Sequence, residues 1–352
     1  MTLTSLATIP RRRRKFTDAR IEMAHGAGGT ATRRLVEGLI APSVGVPLDE
    51  PLGDAAFVHV GDETLALTAD SFVVRPLTFP GGSIGDLAVN GTVNDLAVSG
   101  ARPQALLVTL IIEAGLDAEA LAAEVRAIGA AASRAGVVVL GGDTKVVERG
   151  KADGLFVTTA GMGRRDPRLQ LSAETVCPGD RVILSGPIGD HGITILLARG
   201  DLDLAADLRS DTRSVWPFID ALASNVGSSI RWMRDPTRGG VGTVLNELAR
   251  EAGWSIAIDE ERVPLRDEVR GACELLGLDP LHIANEGQFL AIVAPEAAES
   301  AVETLRSIPG GEQAAIVGEV RADRTSLVTV ESGYGGSRIV DVLVGDPLPR
   351  IC

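Results

Sequence analysis

Short apolar runs that stop on glycine-rich, acid-bearing turns recur in both halves of this 352-residue chain, with helical patterns between them. Residues 137–140 run into Gly141-Gly142-Asp143-Thr144-Lys145-Val146-Val147, and residues 181–185 run into Gly186-Pro187-Ile188-Gly189-Asp190-His191-Gly192. Strands and helices alternating in this way build α/β or α+β domains, and the length suffices for two with separate cores. The 41 glycines cluster at the predicted strand ends, where binding loops sit in such folds. A break around Asp166-Pro167 and Pro178-Gly179 separates an N-terminal domain (21–165) from a C-terminal one (175–330). Residues 1–20 read as a disordered lead-in and 331–352 as a terminal segment with a mobile tail.

One predicted helix carries an acid where it should be apolar. Ser83 suits the N-cap and Asp86 the capping-box acid; the stripe then runs Ile84, Leu87, Ala88, Gly91, Asp95 and Val98. Asp95 therefore falls on the face that should be buried, with Asn94 beside it. An unpaired buried carboxylate costs several kcal/mol, so Asp95 asks for a cation or a metal unless a neighbour satisfies it structurally. Asp54, in Gly53-Asp54-Ala55-Ala56, and Asp70, closing the strand 65–69, each read locally as turn formers. Asp117 caps a second helix with the stripe Leu121, Val125, Ile128 and Ala132, stopped by Gly136. At the end of the strand 137–140, Gly141, Gly142, Asp143, Thr144 and Lys145 suit metal–phosphate binding. Asp235-Pro236 fits an N-cap and first-turn pair of a third helix. His25-Gly26-Ala27-Gly28-Gly29-Thr30 precedes a helical pattern with Leu35, Leu39 and Ile40 on one side.

The net charge of −13 argues against nucleic acid or an anionic membrane surface as the main partner. No run approaches the roughly 18 apolar residues of a membrane span. Arg11-Arg12-Arg13-Arg14-Lys15 lacks the apolar stretch of an export signal. Three cysteines without CxxC spacing point to a reducing, cytoplasmic setting without structural zinc. Cys273 shares a stripe with Val269 and Leu276 and reads as core; Cys177, beside Pro178-Gly179, reads as structural.

The third cysteine ends the chain, in Pro349-Arg350-Ile351-Cys352. It is wrongly placed for prenylation, which needs four residues from the cysteine to the end. Residues 336–352, fully extended, reach on the order of 55 Å at about 3.3 Å per residue. Such a tail could carry a thiol back into a distant pocket; an accidental terminal cysteine is the alternative.

Taken in order, His25-Gly26-Ala27-Gly28-Gly29, Asp70-Ser71-Phe72-Val73-Val74, Gly91-Thr92-Val93-Asn94-Asp95-Leu96-Ala97, residues 141–147, 186–192 and 235–240, Asn285-Glu286-Gly287 and the terminal Pro-Arg-Ile-Cys resemble one family. It is the hydrogenase expression/formation family HypE, of the AIR synthase-like (PurM-like) ATP-binding superfamily. The resemblance implies a two-domain α/β (α+β) fold whose N-terminal sheets form a shared barrel in a homodimer. It further implies ATP-dependent dehydration of a carbamoyl group on Cys352 to a thiocyanate, the source of cyanide ligands for the iron of nickel–iron hydrogenase. By the same resemblance Asp54, Asp70, Asp95 and Asp143 are magnesium and phosphate-site acids, with Asn94, Gly141, Gly142, Thr144 and Asp235 as further ATP-site residues. Lys145 would stabilise developing charge, Glu286 would be the base, and His191 would line the tail's pocket. The implied partners are the carbamoyltransferase HypF and an HypC–HypD iron scaffold. Phosphorylation of a small-molecule amide, as in AIR synthase, leaves the terminal cysteine unexplained; a noncatalytic thiol carrier would show no ATP turnover.

Overall fold

In the computed structural model the first elements are two short helices, α1 (Thr30–Leu35) and α2 (Ala41–Val44), joined by a π-helical turn, Val36–Ile40. That turn breaks the expected stripe and leaves Leu39 and Ile40 exposed. Strands β1 (Ala56–Val60) and β2 (Glu63–Phe72), a small hairpin β3 (Thr78–Phe79) and β4 (Gly82–Ser83), and helix α3 (Ile84–Val98) follow. Then come β5 (Ala101–Glu113), α4 (Ala118–Ala135), β6 (Val138–Val147) and β7 (Leu155–Arg165). Five of these strands form one sheet in the order β1-β2-β7-β5-β6, with only β5 and β6 parallel, across the α4 connection. The structure describes residues 15–48, 52–200, 206–343, 345, 348 and 350–352. Most of the arginine run and of the lead-in, and Asp346, Pro347 and Pro349 of the tail, lie outside the described residues.

The second half contains β8 (Arg181–Leu184), α5 (Asp190–Ala198), α6 (Trp216–Val226), β9 (Ile230–Arg234), α7 (Gly240–Ala252) and β10 (Ser255–Asp259). It continues with α8 (Asp267–Leu276), β11 (Leu290–Val293), α9 (Ala298–Arg306), β12 (Ala315–Arg321), β13 (Val328–Glu331) and β14 (Ser337–Val340). Its seven strands are ordered β14-β13-β10-β12-β8-β11-β9. Alternate side chains of a strand face opposite ways, and this sheet uses both faces. Ile183, Ala291 and Val293 pack with Phe218 and Leu222 of α6 and Leu305 of α9. Val182, Leu184 and Ile292 pack with Leu245 and Leu248 of α7.

Helix α3 holds the two halves together. Ser83 caps it as expected, its Oγ accepting from the Gly85 amide at 3.2 Å. Thirteen of its 15 residues are buried, against α4, β2, β5 and β7 of the first half and α6 and β9 of the second. A helix buried all round needs small residues where neighbours press closest. At Gly91 a Cβ would meet the Phe72 ring at 2.8 Å, and at Gly85 it would meet the Glu124 carbonyl at 2.5 Å. On α4, Asp117 is the N-cap and Gly136 the left-handed C-cap, but Val125 points outward and Ala131 takes its place inside. Cys273 is core, and burial pushes its thiol up to about 11. The Cys177 thiol is exposed; what holds its turn is the amide, which donates to Asp180 at 2.8 Å.

Candidate active site

Strand β2 and helix α3 face each other, and their polar residues meet. Thr68 Oγ1 donates to Asp95 Oδ2 at 2.9 Å, and Asp70, two residues further along the same strand face, adds its charge to the repulsion on Asp95. Asp54, just ahead of β1, and Asp235, just after β9, approach from either side. One carboxylate oxygen from each of Asp54, Asp95 and Asp235 lies within 4.8 Å of the others. Burial, then repulsion from Asp235, Asp70 and Asp54, holds the Asp95 carboxyl well above its ordinary range; burial, then Asp54 and Asp70, does the same to Asp235. Burial also raises Asp54, against the pull of Arg234, whose Nε donates to it at 3.1 Å. Arg234 is itself shared with Glu247, at 2.8 Å. Four carboxylates thus gather where one arginine, itself shared with Glu247, reaches only Asp54, a surplus of oxygen ligands and negative charge that suits a hard divalent cation.

Asp235 is not a helix cap, contrary to the sequence expectation. Helix α7 begins at Gly240 with Gly239 as N-cap, at φ 60° and 76° respectively, which only glycine adopts without strain. Asn285 fixes the loop that presents Asp235. Its Nδ2 donates to the Pro236 carbonyl at 3.0 Å and its Oδ1 accepts from the Gly189 amide at 2.7 Å.

The tail is docked. Successive carbonyl oxygens of the last three residues each receive a donor: Arg350 from Arg199 Nη2 at 2.7 Å, Ile351 from His191 Nε2 at 2.7 Å, Cys352 from the Val73 amide at 3.1 Å. Leu348 and Ile351 are buried with Phe72, Val74, Ile193 and Ile283, and Arg350 pairs with Asp153. Val73 follows β2, so the chain end sits three residues from Asp70. His191 lies in the first turn of α5, not in a loop before it, because the helix starts at Asp190. Its ring is fully buried, and burial pushes it down to about 4, so it is neutral. A carbonyl can only accept, so Nε2 carries the proton and Nδ1 accepts from Ser210 Oγ at 2.8 Å.

Glu286 is buried, and its Oε1 has no hydrogen-bond partner among the described residues. Burial, then Asp235, Asp211 and Asp70, holds it well above the ordinary carboxylate range, opposed by Arg238. Gly287 lets Glu286 sit close to Asp211: a Cβ there would overlap the Asp211 carbonyl. Asp190, at the start of α5, pairs with Arg266 at 2.7 Å and is pushed up by burial to about 6. Asn94 is occupied structurally. Its amide bridges the Arg213 and Glu286 carbonyls, and its oxygen accepts from the Val215 amide.

Strand β6 continues to Val147 and does not stop at Leu140, so Gly141, Gly142, Asp143, Thr144 and Lys145 lie within an exposed edge strand and form no loop. Asp143 and Lys145 pair with each other at 2.9 Å. Within one chain, Asp143 is absent from the cluster formed by Asp54, Asp95 and Asp235.

Three contributors had no signal in the sequence. Arg234 reads as a strand residue, Asp211 sits in unpatterned sequence, and Arg238 lies in the stretch 235–240, where the resemblance implies no role for it. Arg238 is solvent-exposed, donates to the Gly26 carbonyl at 3.0 Å, and is held charged by Cys352, then Asp70, Glu286 and Asp95. It faces both the acids and the chain end.

Residues 52–165 match the model for the AIR synthase related protein N-terminal domain, and residues 177–331 that for its C-terminal domain. The carbamoyl dehydratase HypE of Azotobacter vinelandii is 48% identical over 332 residues, covering 94% of this chain and 97% of the relative. A HypE–HypF complex contains a chain that superposes with a TM-score of 0.81 at 42% identity, covering 88% of this chain and 99% of that one. A HypE structure in complex with ATP gives 0.78 at 43% identity, covering 94% and 99%. With the converging acids and a cysteine-terminated tail docked beside them, these likenesses establish that the chain belongs to the HypE family of AIR synthase related proteins.

Proposed function

We propose that this chain is an ATP-dependent carbamoyl dehydratase acting on its own terminal residue. The observation that carries the reading is the seating of the Cys352 carbonyl on the Val73 amide, at the end of the strand that carries Asp70, with Arg238 influenced by both Cys352 and Asp70. The γ-phosphoryl group passes from ATP to the carbamoyl oxygen while the nitrogen releases the first of its two protons to solvent, giving an S-bound iminophosphate and ADP. Glu286 then takes the remaining nitrogen proton as the C–O bond breaks, leaving thiocyanate on Cys352 and free phosphate. Asp54, Asp95 and Asp235, with Asp70, are suited to hold magnesium, which would supply charge neutralisation at the phosphates. Burial and its acidic neighbours make the Glu286 carboxylate a stronger proton acceptor than an ordinary one, which suits a base. Adding ATP to carbamoylated protein should remove the mass of one water from the tail; ATP turnover without that loss would defeat the reading.

The acid cluster yields a pH prediction. A carboxyl raised in the fold binds its proton more tightly there than in the unfolded chain. Metal-free stability should therefore fall as pH climbs from the ordinary carboxylate range to the raised values of Asp95 and Asp235. Magnesium relieves this repulsion, so its effect on melting temperature should be larger at about pH 8 than at about pH 6. Equal shifts at both would contradict the assignment. Asp235→Asn should melt higher than the parent without metal and lose most of the magnesium effect.

The same family reading makes the protein a cytoplasmic homodimer that receives its carbamoyl group from HypF and passes cyanide to an HypC–HypD iron scaffold. The exposed apolar side chains Val58, Leu67, Leu107 and Val138, on the face of the N-terminal sheet turned away from α3, with Leu140 at the register shift beside them, support a sheet-to-sheet interface. Such an interface would bring Asp143 and Lys145 of one protomer toward the other protomer's site. Leu140→Asp should yield a monomer by light scattering and reduce turnover strongly; an unchanged dimer would place the interface elsewhere.

A further inference from the structure

Residues 208–215 form an irregular strap that touches both ends of the reaction. Ser210 Oγ meets His191 Nδ1 at 2.8 Å, and His191 holds the Ile351 carbonyl of the tail. The next residue, Asp211, accepts from the Glu286 amide through Oδ1 and from the Gly287 amide through Oδ2, each at 3.1 Å. The strap is tied down on both sides of this pair. The Ser210 amide donates to the Pro80 carbonyl at 2.9 Å, and the Thr212 amide donates back to Ser210 Oγ at 3.1 Å. Asn90 of α3 donates to Thr212 Oγ1 at 3.2 Å, and Arg213 Nε donates to the Gly287 carbonyl at 2.9 Å. Gly81 gives the strap room, since a Cβ there would lie 2.7 Å from the Ser210 carbonyl. The hydroxyl has one proton, which goes to His191 Nδ1, while its lone pair receives the Thr212 amide. Ser210 therefore backs, from the strap, the imidazole tautomer that the Ile351 carbonyl requires.

We infer that this strap couples seating of the tail to placement of Glu286, with Ser210 a positioning residue for the tail and Asp211 for the base. Removing the tail frees His191 Nε2 and loosens Ser210; the adjacent Asp211 then holds the Glu286-Gly287 backbone less firmly. Coupling of this kind is reciprocal, so a change at the Asp211 end must also loosen the tail. The inference rests on the proposed dehydration for its rate readout but not for its binding readout.

The test measures maleimide labelling of Cys352 in the full chain, with buried Cys273 and exposed Cys177 as internal controls, beside single-turnover water loss from carbamoylated protein. Ser210→Ala removes a hydrogen bond worth about 1 kcal/mol, so Cys352 labelling should accelerate and water loss slow, each roughly fivefold, with nucleotide affinity unchanged. Ser210→Thr keeps the hydroxyl and should restore both. Asp211→Asn, at the other end, should slow water loss and also accelerate Cys352 labelling. Ser210→Ala or Asp211→Asn protein in which only one of the two readouts moves overturns the coupling, as does no change in either. Should Ser210→Ala fail to fold, Asp211→Asn alone carries the test. Parent protein that never loses water defeats the proposed function and leaves the labelling comparison to judge the strap.

Discussion

Cys352→Ser is expected to abolish thiocyanate formation completely while leaving the tail docked. Docking is carried by main-chain carbonyls and by the buried side chains of Ile351 and Leu348, none of which the substitution touches. What is lost is the sulfur that carries the carbamoyl group, since a serine hydroxyl stays protonated and is a far weaker nucleophile at neutral pH. Intact-mass measurement after incubation with carbamoyl donor and ATP should show no gain and no subsequent loss of water. Protection of the chain end from carboxypeptidase should match the parent. Thiocyanate found on another residue of this variant would remove Cys352 from the reaction.

Glu286→Gln is the second large effect. The glutamine is isosteric, and the backbone contacts of residue 286 to Asp211 and Asn94 persist. An amide cannot take the nitrogen proton, so dehydration should slow by about 10³, within the usual range for loss of a general base. Nucleotide affinity measured by calorimetry should stay within about threefold of the parent. Thermal stability should rise slightly, because a buried carboxylate repelled by Asp235, Asp211 and Asp70 has been neutralised. Normal turnover in this variant would move the base to another group.

Much of the fold was legible because its signals are local. The Ser83 cap, the Asp117 cap and Gly136 stop of α4, and the alternation of strands and helices each depend on residues within a few positions of one another. Errors came where a local pattern had two meanings. Gly141-Gly142 reads as the end of a strand, yet β6 continues through it, because pairing with β5 supplies the hydrogen bonds the glycines would otherwise leave unmade. Asp235-Pro236 reads as a helix start, but glycines at 239 and 240 adopt the positive φ that begins α7 later.

The sequence by itself determined that Asp95 faces inward and that a thiol ends the chain on a segment long enough to reach a pocket. Helical periodicity and contour length are properties of the chain alone. Only the tertiary structure decided which acids meet: Asp54, Asp95 and Asp235 are separated by up to 181 positions, and no spacing rule relates them. Their convergence follows from packing α3 against both β2 and β9, so that Asp95 on the helix meets the acids beside those strands. The roles of Arg238, Ser210 and Asp211 were decided in the same way, because a side chain in unpatterned sequence acquires its partners only when packing supplies them.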